Sequence, residues 1–296
     1  MRGHGRQAGP ALEGFTLIEL LVALALGLAI LIIASDLLIS SSRSASDLQG
    51  RNELLQESQI AQNYLVGQLR EAVYVFPQGA AISLGVDYKT QSPLGGSSWS
   101  VGALGAPIVA FVRPPGLVPG APDPLAPGTI GECAVGLVIN EPRACYRFMA
   151  YYPVLRSVWM DGAAGSNRPA EDGVNSGRWV LVEYRSIYPI PPTLSELAAT
   201  GYARSGGEAR LLLDYVQPPE LTPPTLPALF VVNDLRAGGG GSVGTPRPGD
   251  ASVTVNLAVS RRIGRRDVTV PGRGSSGPDS VTTVVVVPRN LGNLPN

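Results

Sequence analysis

The sequence predicts an α+β protein: one long N-terminal helix, packed along its second half against an antiparallel β-sheet that carries long Pro/Gly-rich loops. Three observations predict it. Phe15 to Ala34 is a run of twenty residues with no proline and no charge except Glu19. From Asp47 to Phe76 proline is again absent, and Leu54, Ala61, Leu65, Leu69, Ala72, Val73 and Phe76 recur at three- and four-residue steps, the spacing of a helix with one apolar face. Beyond Ala81 the chain changes to short β-branched and aromatic runs punctuated by Pro, Gly, Asn and Asp, which is the pattern of strands and turns.

Composition narrows the function classes. The chain has 296 residues, 44% of them hydrophobic, enough for a substantial core in one large or two modest domains. Lys plus Arg and Asp plus Glu both number 23, so no global imbalance points to nucleic acid or to an acidic substrate. Gly 36 and Pro 27 make the chain loop-rich, but its apolar content is too high for a disordered one. The single histidine is His4, ahead of the apolar run. A chain that loses that leader has no Ser-His-Asp or Cys-His arrangement and no histidine metal ligand. Neither an enzyme nor a cofactor is predicted.

Taken in order, Met1 to Gly14 is a polar leader with Arg2, His4, Arg6 and Glu13. At about 1.5 Å per residue, a helix over residues 15–34 spans the roughly 30 Å of a bilayer's hydrocarbon. A secretory signal would end its shorter apolar stretch in a small-residue cleavage site, and Ile32-Ile33-Ala34-Ser35 is a poor one. The apolar run is therefore read as retained. An ionisable group inside such a segment is costly without a partner, which marks Glu19 as functional. The helix continues to Phe76, where Pro77 and Gly79 stop it, giving about 90 Å if unbroken. Ser40-Ser41-Ser42-Arg43-Ser44 and Gly50 are weak helix formers and predict a bend or a locally melted turn.

Residues 77–296 form the head. Candidate strands are Ile108–Arg113, Val135–Ile139, Cys145–Pro153, Arg178–Tyr184, Ala209–Val216 and Leu229–Asn233. The clearest is Ser252–Ser260, where Val253, Val255, Leu257 and Val259 alternate with Ser252, Thr254, Asn256 and Ala258, as in a strand with one covered face. Val281–Val287 is almost wholly β-branched and is read as a more buried strand, hairpin-paired with or beside Ser252–Ser260. The loops Pro114–Gly131, Asp161–Gly177, Pro189–Gly207, Pro218–Pro227 and Ala237–Gly249 are long for a compact domain, so one decorated sheet and two lobes both stay open.

Four groups of residues are candidates for chemistry or packing. Cys133 and Cys145 are too few for a structural zinc site, and in an exported protein they predict one disulfide, of about 3 kcal/mol for a loop near that size. Arg261, Arg262, Arg265 and Arg266 surround Gly264 and are read either as a solvated turn or as a phosphate-contacting patch; no aromatic run accompanies them to stack bases. Asp161, Glu171, Asp172 and Asn175 offer oxygens of the kind calcium prefers, but their spacing departs from the Asp-x-Asp-x-Asp-Gly loop, so no metal is predicted. Tyr146, Phe148, Tyr151 and Tyr152 are read as sheet packing.

Gly14-Phe15-Thr16-Leu17-Ile18-Glu19-Leu20-Leu21-Val22-Ala23 resembles the processing and assembly motif of type IV pilins and of the pseudopilins of type II secretion. The resemblance covers about twenty residues, and it implies the remaining expectations. A prepilin peptidase would cut after Gly14, leaving residues 1–14 as the leader, and would methylate the new amine of Phe15. Residues 15–34 would hold the subunit in the inner membrane, with the head in the periplasm, until an inner-membrane assembly platform moves it from lipid into a filament of other pilins at the cell surface. There Glu19 would pair with the Phe15 amine of a neighbouring subunit and set the register. The final strands followed by Pro288-Arg289-Asn290 resemble the PilW-like minor pilins. The expected function is thus a minor pilin that starts or caps a type IV pilus. A type II secretion pseudopilin, or an adhesin or DNA-binding module on a pilin stem, are the alternatives.

Overall fold

The computed structural model describes residues 16–116, 145–188, 190–199, 201–218, 226–234, 251–264, 266–271, 281–292 and 294. Gly14, Phe15, Cys133, Arg265 and the candidate strand Val135–Ile139 lie outside the described residues.

Helix α1 runs from Leu17 to Arg70 without interruption. The serines at 40–44 do not break it, and Ser35 shows why hydroxyls are tolerated: its Oγ donates to the Leu31 carbonyl one turn back, at 2.8 Å. The chain divides after Gln49 into two units. In the first, every large apolar side chain from Leu17 to Ile39 is between 49% and 80% exposed, and α1 is the only helix among the described residues long and apolar enough to cross a membrane. In the second, α1 buries Gly50, Leu54, Ser58, Ala61, Gln62, Leu65, Val66 and Leu69, which includes the helical part of the stripe read from the sequence.

The remaining elements, all in the second unit, are β1 (Tyr74–Val75), β2 (Ala81–Ser83), β3 (Ser98–Val101), β4 (Pro107–Arg113), β5 (Arg147–Leu155), α2 (Arg156–Gly162), β6 (Trp179–Ile187), α3 (Leu194–Leu197), β7 (Tyr202–Ala203), β8 (Glu208–Val216), β9 (Phe230–Asp234), β10 (Ala251–Leu257), β11 (Val259–Ile263), β12 (Arg266–Val270) and β13 (Thr282–Val286). A ten-stranded sheet has the order β12-β11-β8-β6-β5-β4-β3-β2-β7, with β1 also on β4, and a three-stranded sheet has the order β13-β10-β9. Most pairings are antiparallel; β2 with β7 and β3 with β4 are parallel. One apolar core serves both sheets and the buried face of α1.

Three readings of the sequence are corrected. The helix ends at Arg70 rather than Phe76, because Ala72–Phe76 leaves it as fully buried extended chain, with Tyr74 and Val75 opposite Val112 and Phe111; a run of aromatic and β-branched residues favours that pairing. The alternating stretch Ser252–Ser260 is two strands. Its residues up to Leu257 pair with β9 and β13, and from Val259 they pair with β8 and β12. The switch is made at Ala258, whose carbonyl accepts from Gln217 N at 2.9 Å, and a strand that changes sheets forms a corner. Val281–Val287 is not deeply buried: β13 is an edge strand with Val285 61% and Val287 53% exposed.

The C-terminal segment satisfies the end of α1. Arg289 N donates to Arg70 O, a carbonyl that the helix leaves unpaired as it ends, and Gly292 N donates to Val73 O in the extended chain beyond it, each at 3.0 Å.

Candidate functional site

Glu19 sits in the first turn of α1. Its Oε2 accepts from both the backbone N and the Oγ1 of Thr16, each at 3.1 Å, and Glu19 N donates back to Thr16 Oγ1 at 3.4 Å. This is a capping box, Thr-x-x-Glu, which satisfies donors left free at a helix start. It also places a carboxylate at the positive end of the helix dipole. The sequence carries the signal as Thr16-Leu17-Ile18-Glu19. Gly14 and Phe15, the expected cleavage pair, lie outside the described residues.

The described arginines of the group lie on the β11–β12 hairpin. Arg261 and Arg262 lie on β11 and Arg266 on β12, with Arg262 opposite Asp267 in the hairpin register. Arg262 Nε and Nη2 donate to the two oxygens of Asp267 at 3.2 and 3.1 Å, and Arg178 Nη2 reaches the same carboxylate at 3.2 Å. These bonds, Arg262 first, hold the Asp267 carboxyl below the usual aspartate range. Arg261 Nε pairs with Asp172 Oδ2 at 3.4 Å. Two of the four arginines are thus balanced by carboxylates, which weakens the patch as a phosphate contact.

The acidic loop is tied into the same network. Asn175 Nδ2 donates to Asp172 Oδ2 at 2.8 Å and to Arg262 O at 3.2 Å, while its Oδ1 accepts from Arg262 N at 2.7 Å. A side-chain amide therefore plays the part of a strand neighbour for β11. Asp172 also accepts from the Tyr215 hydroxyl at 3.1 Å. Burial pushes the Asp172 carboxyl up, but these hydrogen bonds and the guanidinium groups of Arg261 and Arg156 more than offset it, leaving it below its ordinary value. The side-chain oxygens of Asp172 and Asn175 are thus engaged by protein donors, and among the described residues no cluster of three acidic, histidine or cysteine side chains is placed to hold a metal.

At the centre of this network is a distortion that the sequence did not signal. Trp179 faces Val216 and Leu181 faces Leu213, so Asp214 and Tyr215 together oppose Val180 in a β-bulge. Tyr215 has φ +59°, the left-handed region that side chains other than glycine enter at a cost of about 1–3 kcal/mol. Its ring lies 5.0 Å from the Arg156 guanidinium carbon and 4.9 Å from that of Arg261. Arg156, 1% exposed, also donates to the Ala170 and Asp172 carbonyls, at 2.6 and 3.0 Å.

Two further features complete the head. Under α1, Glu183 accepts from the Tyr151 hydroxyl at 2.7 Å and pairs with Arg185, which donates onward to the Tyr64 hydroxyl of α1. A cavity of about 320 Å³ beside β7 and α3 is lined by Tyr188, Pro191, Pro192, Glu196, Tyr202 and Arg204 among others. The Arg204 guanidinium there stands 4.2 Å from the Tyr188 ring centroid, and Tyr188 and Tyr202 share a hydroxyl–hydroxyl hydrogen bond. Tyr146, Phe148, Tyr151 and Tyr152 are buried packing residues, as read from the sequence. Cys145 is buried and is not a free thiol; the expected disulfide involves Cys133, which lies outside the described residues.

Comparison with protein-family models, with characterised proteins and with solved structures finds no match to this chain.

Proposed function

We propose that this chain is a minor pilin, a non-enzymatic structural subunit that helps to start or cap a type IV pilus. The observation that carries the reading is a single helix of two characters. From Leu17 to Ile39 all its large apolar side chains are exposed, whereas from Gly50 to Leu69 one face is buried in a β-rich head. An exposed apolar helix needs lipid or other helices around it, and the first twenty residues after Gly14 carry the motif of subunits that pass from one to the other. The membrane holds the subunit before assembly, with the head outside the cytoplasm. A prepilin peptidase, other pilins and an assembly platform are the partners. In lipid, Glu19 is served by its own capping box; in a filament it faces the Phe15 amine of a neighbour, and loss of one member of such a buried pair costs about 3–5 kcal/mol.

The test is mass spectrometry of sheared surface filaments. The expected result is a peptide beginning at N-methylated Phe15. A mature chain beginning near Ser35 overturns the reading, because cleavage there would discard the helix that assembles.

A further inference from the structure

We propose that the cavity beside β7 and α3 binds a small zwitterion with an apolar body, of the chemical class of a free amino acid, with its carboxylate at Arg204 and its ammonium at Glu196. At about 320 Å³ the space falls near the lower end of ligand pockets, roughly 300–1,000 Å³, so the occupant is small. The lining comes from three segments: Tyr188 just beyond β6, the stretch from Ile190 to Leu197 that ends in α3, and β7 with Arg204 after it.

The charges decide the class. Arg204 Nε donates to Ser186 Oγ at 3.0 Å and Nη2 to the Ile187 carbonyl, while Glu196 Oε2 accepts from Thr193 N at 2.8 Å. All of these partners are uncharged. Among the described residues neither Arg204 nor Glu196 forms an ion pair, with the other or with a third group. Two opposite charges therefore line one cavity without counter-ions. A simple anion is disfavoured there by Glu196 and a simple cation by Arg204, because juxtaposed like charges are costly. A ligand that carries both charges satisfies both.

The donors around Arg204 suit a carboxylate. Tyr188 and Tyr202 share one hydroxyl–hydroxyl hydrogen bond, which uses one of their two protons, and among the described residues no other acceptor reaches either hydroxyl. One O–H is left to donate. Burial pushes both phenols above the ordinary tyrosine range, so both stay protonated near neutral pH. Arg204 Nη1 makes no hydrogen bond among the described residues, and the guanidinium stands 4.2 Å from the Tyr188 ring centroid. A guanidinium beside a hydroxyl donor makes charge-assisted hydrogen bonds to a carboxylate. Pro191, Pro192 and Leu197 supply apolar lining for the body of the ligand. This inference rests on the head alone and does not depend on the pilin reading.

The test is a ligand-observed NMR titration of the full chain in detergent. Free leucine and ε-aminocaproate are zwitterions with close and distant charges, while isocaproate and isoamylamine each keep one charge. At least one zwitterion is expected to bind with a Kd of about 1 mM or tighter, and both single-charge probes at least tenfold more weakly. Glu196→Gln keeps a side chain that can close the capping box with Thr193. It is expected to weaken zwitterion binding at least tenfold while the thermal transition persists, and Arg204→Gln is expected to do the same. Three results would overturn the proposal: no saturable binding of either zwitterion, a single-charge probe that binds as tightly, or full zwitterion affinity in folded Glu196→Gln.

Discussion

Arg156 and Asp214 form an ion pair inside the head, with Arg156 Nε 2.9 and 3.2 Å from the two carboxylate oxygens and side-chain exposures of 2% and 13%. The pair fastens the start of α2 to the bulge of β8, and the Arg156 guanidinium lies against the Tyr215 ring. Neither residue stood out in the sequence, yet together they flank Tyr215, the one non-glycine residue at positive φ among the described residues.

Removing one member of that pair strands the other without its counter-ion. Arg156→Leu is expected to destabilise the head by about 3–5 kcal/mol, measured by urea unfolding of the full chain in detergent. A loss below about 1 kcal/mol would show that Asp214 is adequately solvated without its partner.

Asp172 sets the acid behaviour of the same network. Its folded carboxyl is held below the unfolded value, so its stabilisation is present at pH values above about 3.9 and is lost as pH falls through the lower folded value. Asp172→Asn is expected to lower the melting temperature at pH 7, with the gap to wild type narrowing as pH falls below about 3.9. A gap that stays constant across that range would rule out the charge as its origin.

Gly50 is the point where the β11–β12 hairpin meets α1: a methyl group there would stand 2.5 Å from Ile263 Cδ1. Alanine is worth up to about 1 kcal/mol more than glycine inside a helix, while the clash falls on the mobile end of one side chain. Gly50→Ala is expected to stabilise more in an Ile263→Ala background than in wild type, read as a difference in unfolding free energy. Equal effects in both backgrounds would mean that the hairpin does not press on α1.

The capping role of Glu19 and the filament role proposed for it are separable by substitution. Glutamine preserves the capping box and removes the charge. Both Glu19→Ala and Glu19→Gln are expected to leave leader cleavage intact and to reduce incorporation into sheared filaments at least tenfold. If Glu19→Gln assembled normally, capping rather than charge would be the contribution of Glu19.

Much of the frame was legible in residue order alone. The apolar run to Ala34, its single carboxylate, the stripe from Leu54 to Leu69 and most strand positions are local patterns, and local periodicity reports which face of an element is apolar. Other features depended on what each segment meets in space. Val73 to Phe76 suits a strand as well as a helix end, and the presence of β4 decided it. Ser252–Ser260 reads as one strand because alternation continues through Ala258, and nothing local reveals that its neighbours change there. The arginines around Gly264 read as free charge until the fold brought Asp172 and Asp267 to them from sequence-distant and hairpin-adjacent positions. Gly50 looked like a flaw in a helix and is the gap that admits Ile263.

By itself, then, the sequence determined an apolar α-helix with one early carboxylate joined to a β-rich head, because hydrophobic period and length are properties of the chain. Tertiary structure alone decided where α1 stops, which arginines are neutralised, that Tyr215 is held at positive φ, and that β13 stands at an uncharged edge. Most of these are relations between segments far apart in the chain, created only when folding brings those segments together.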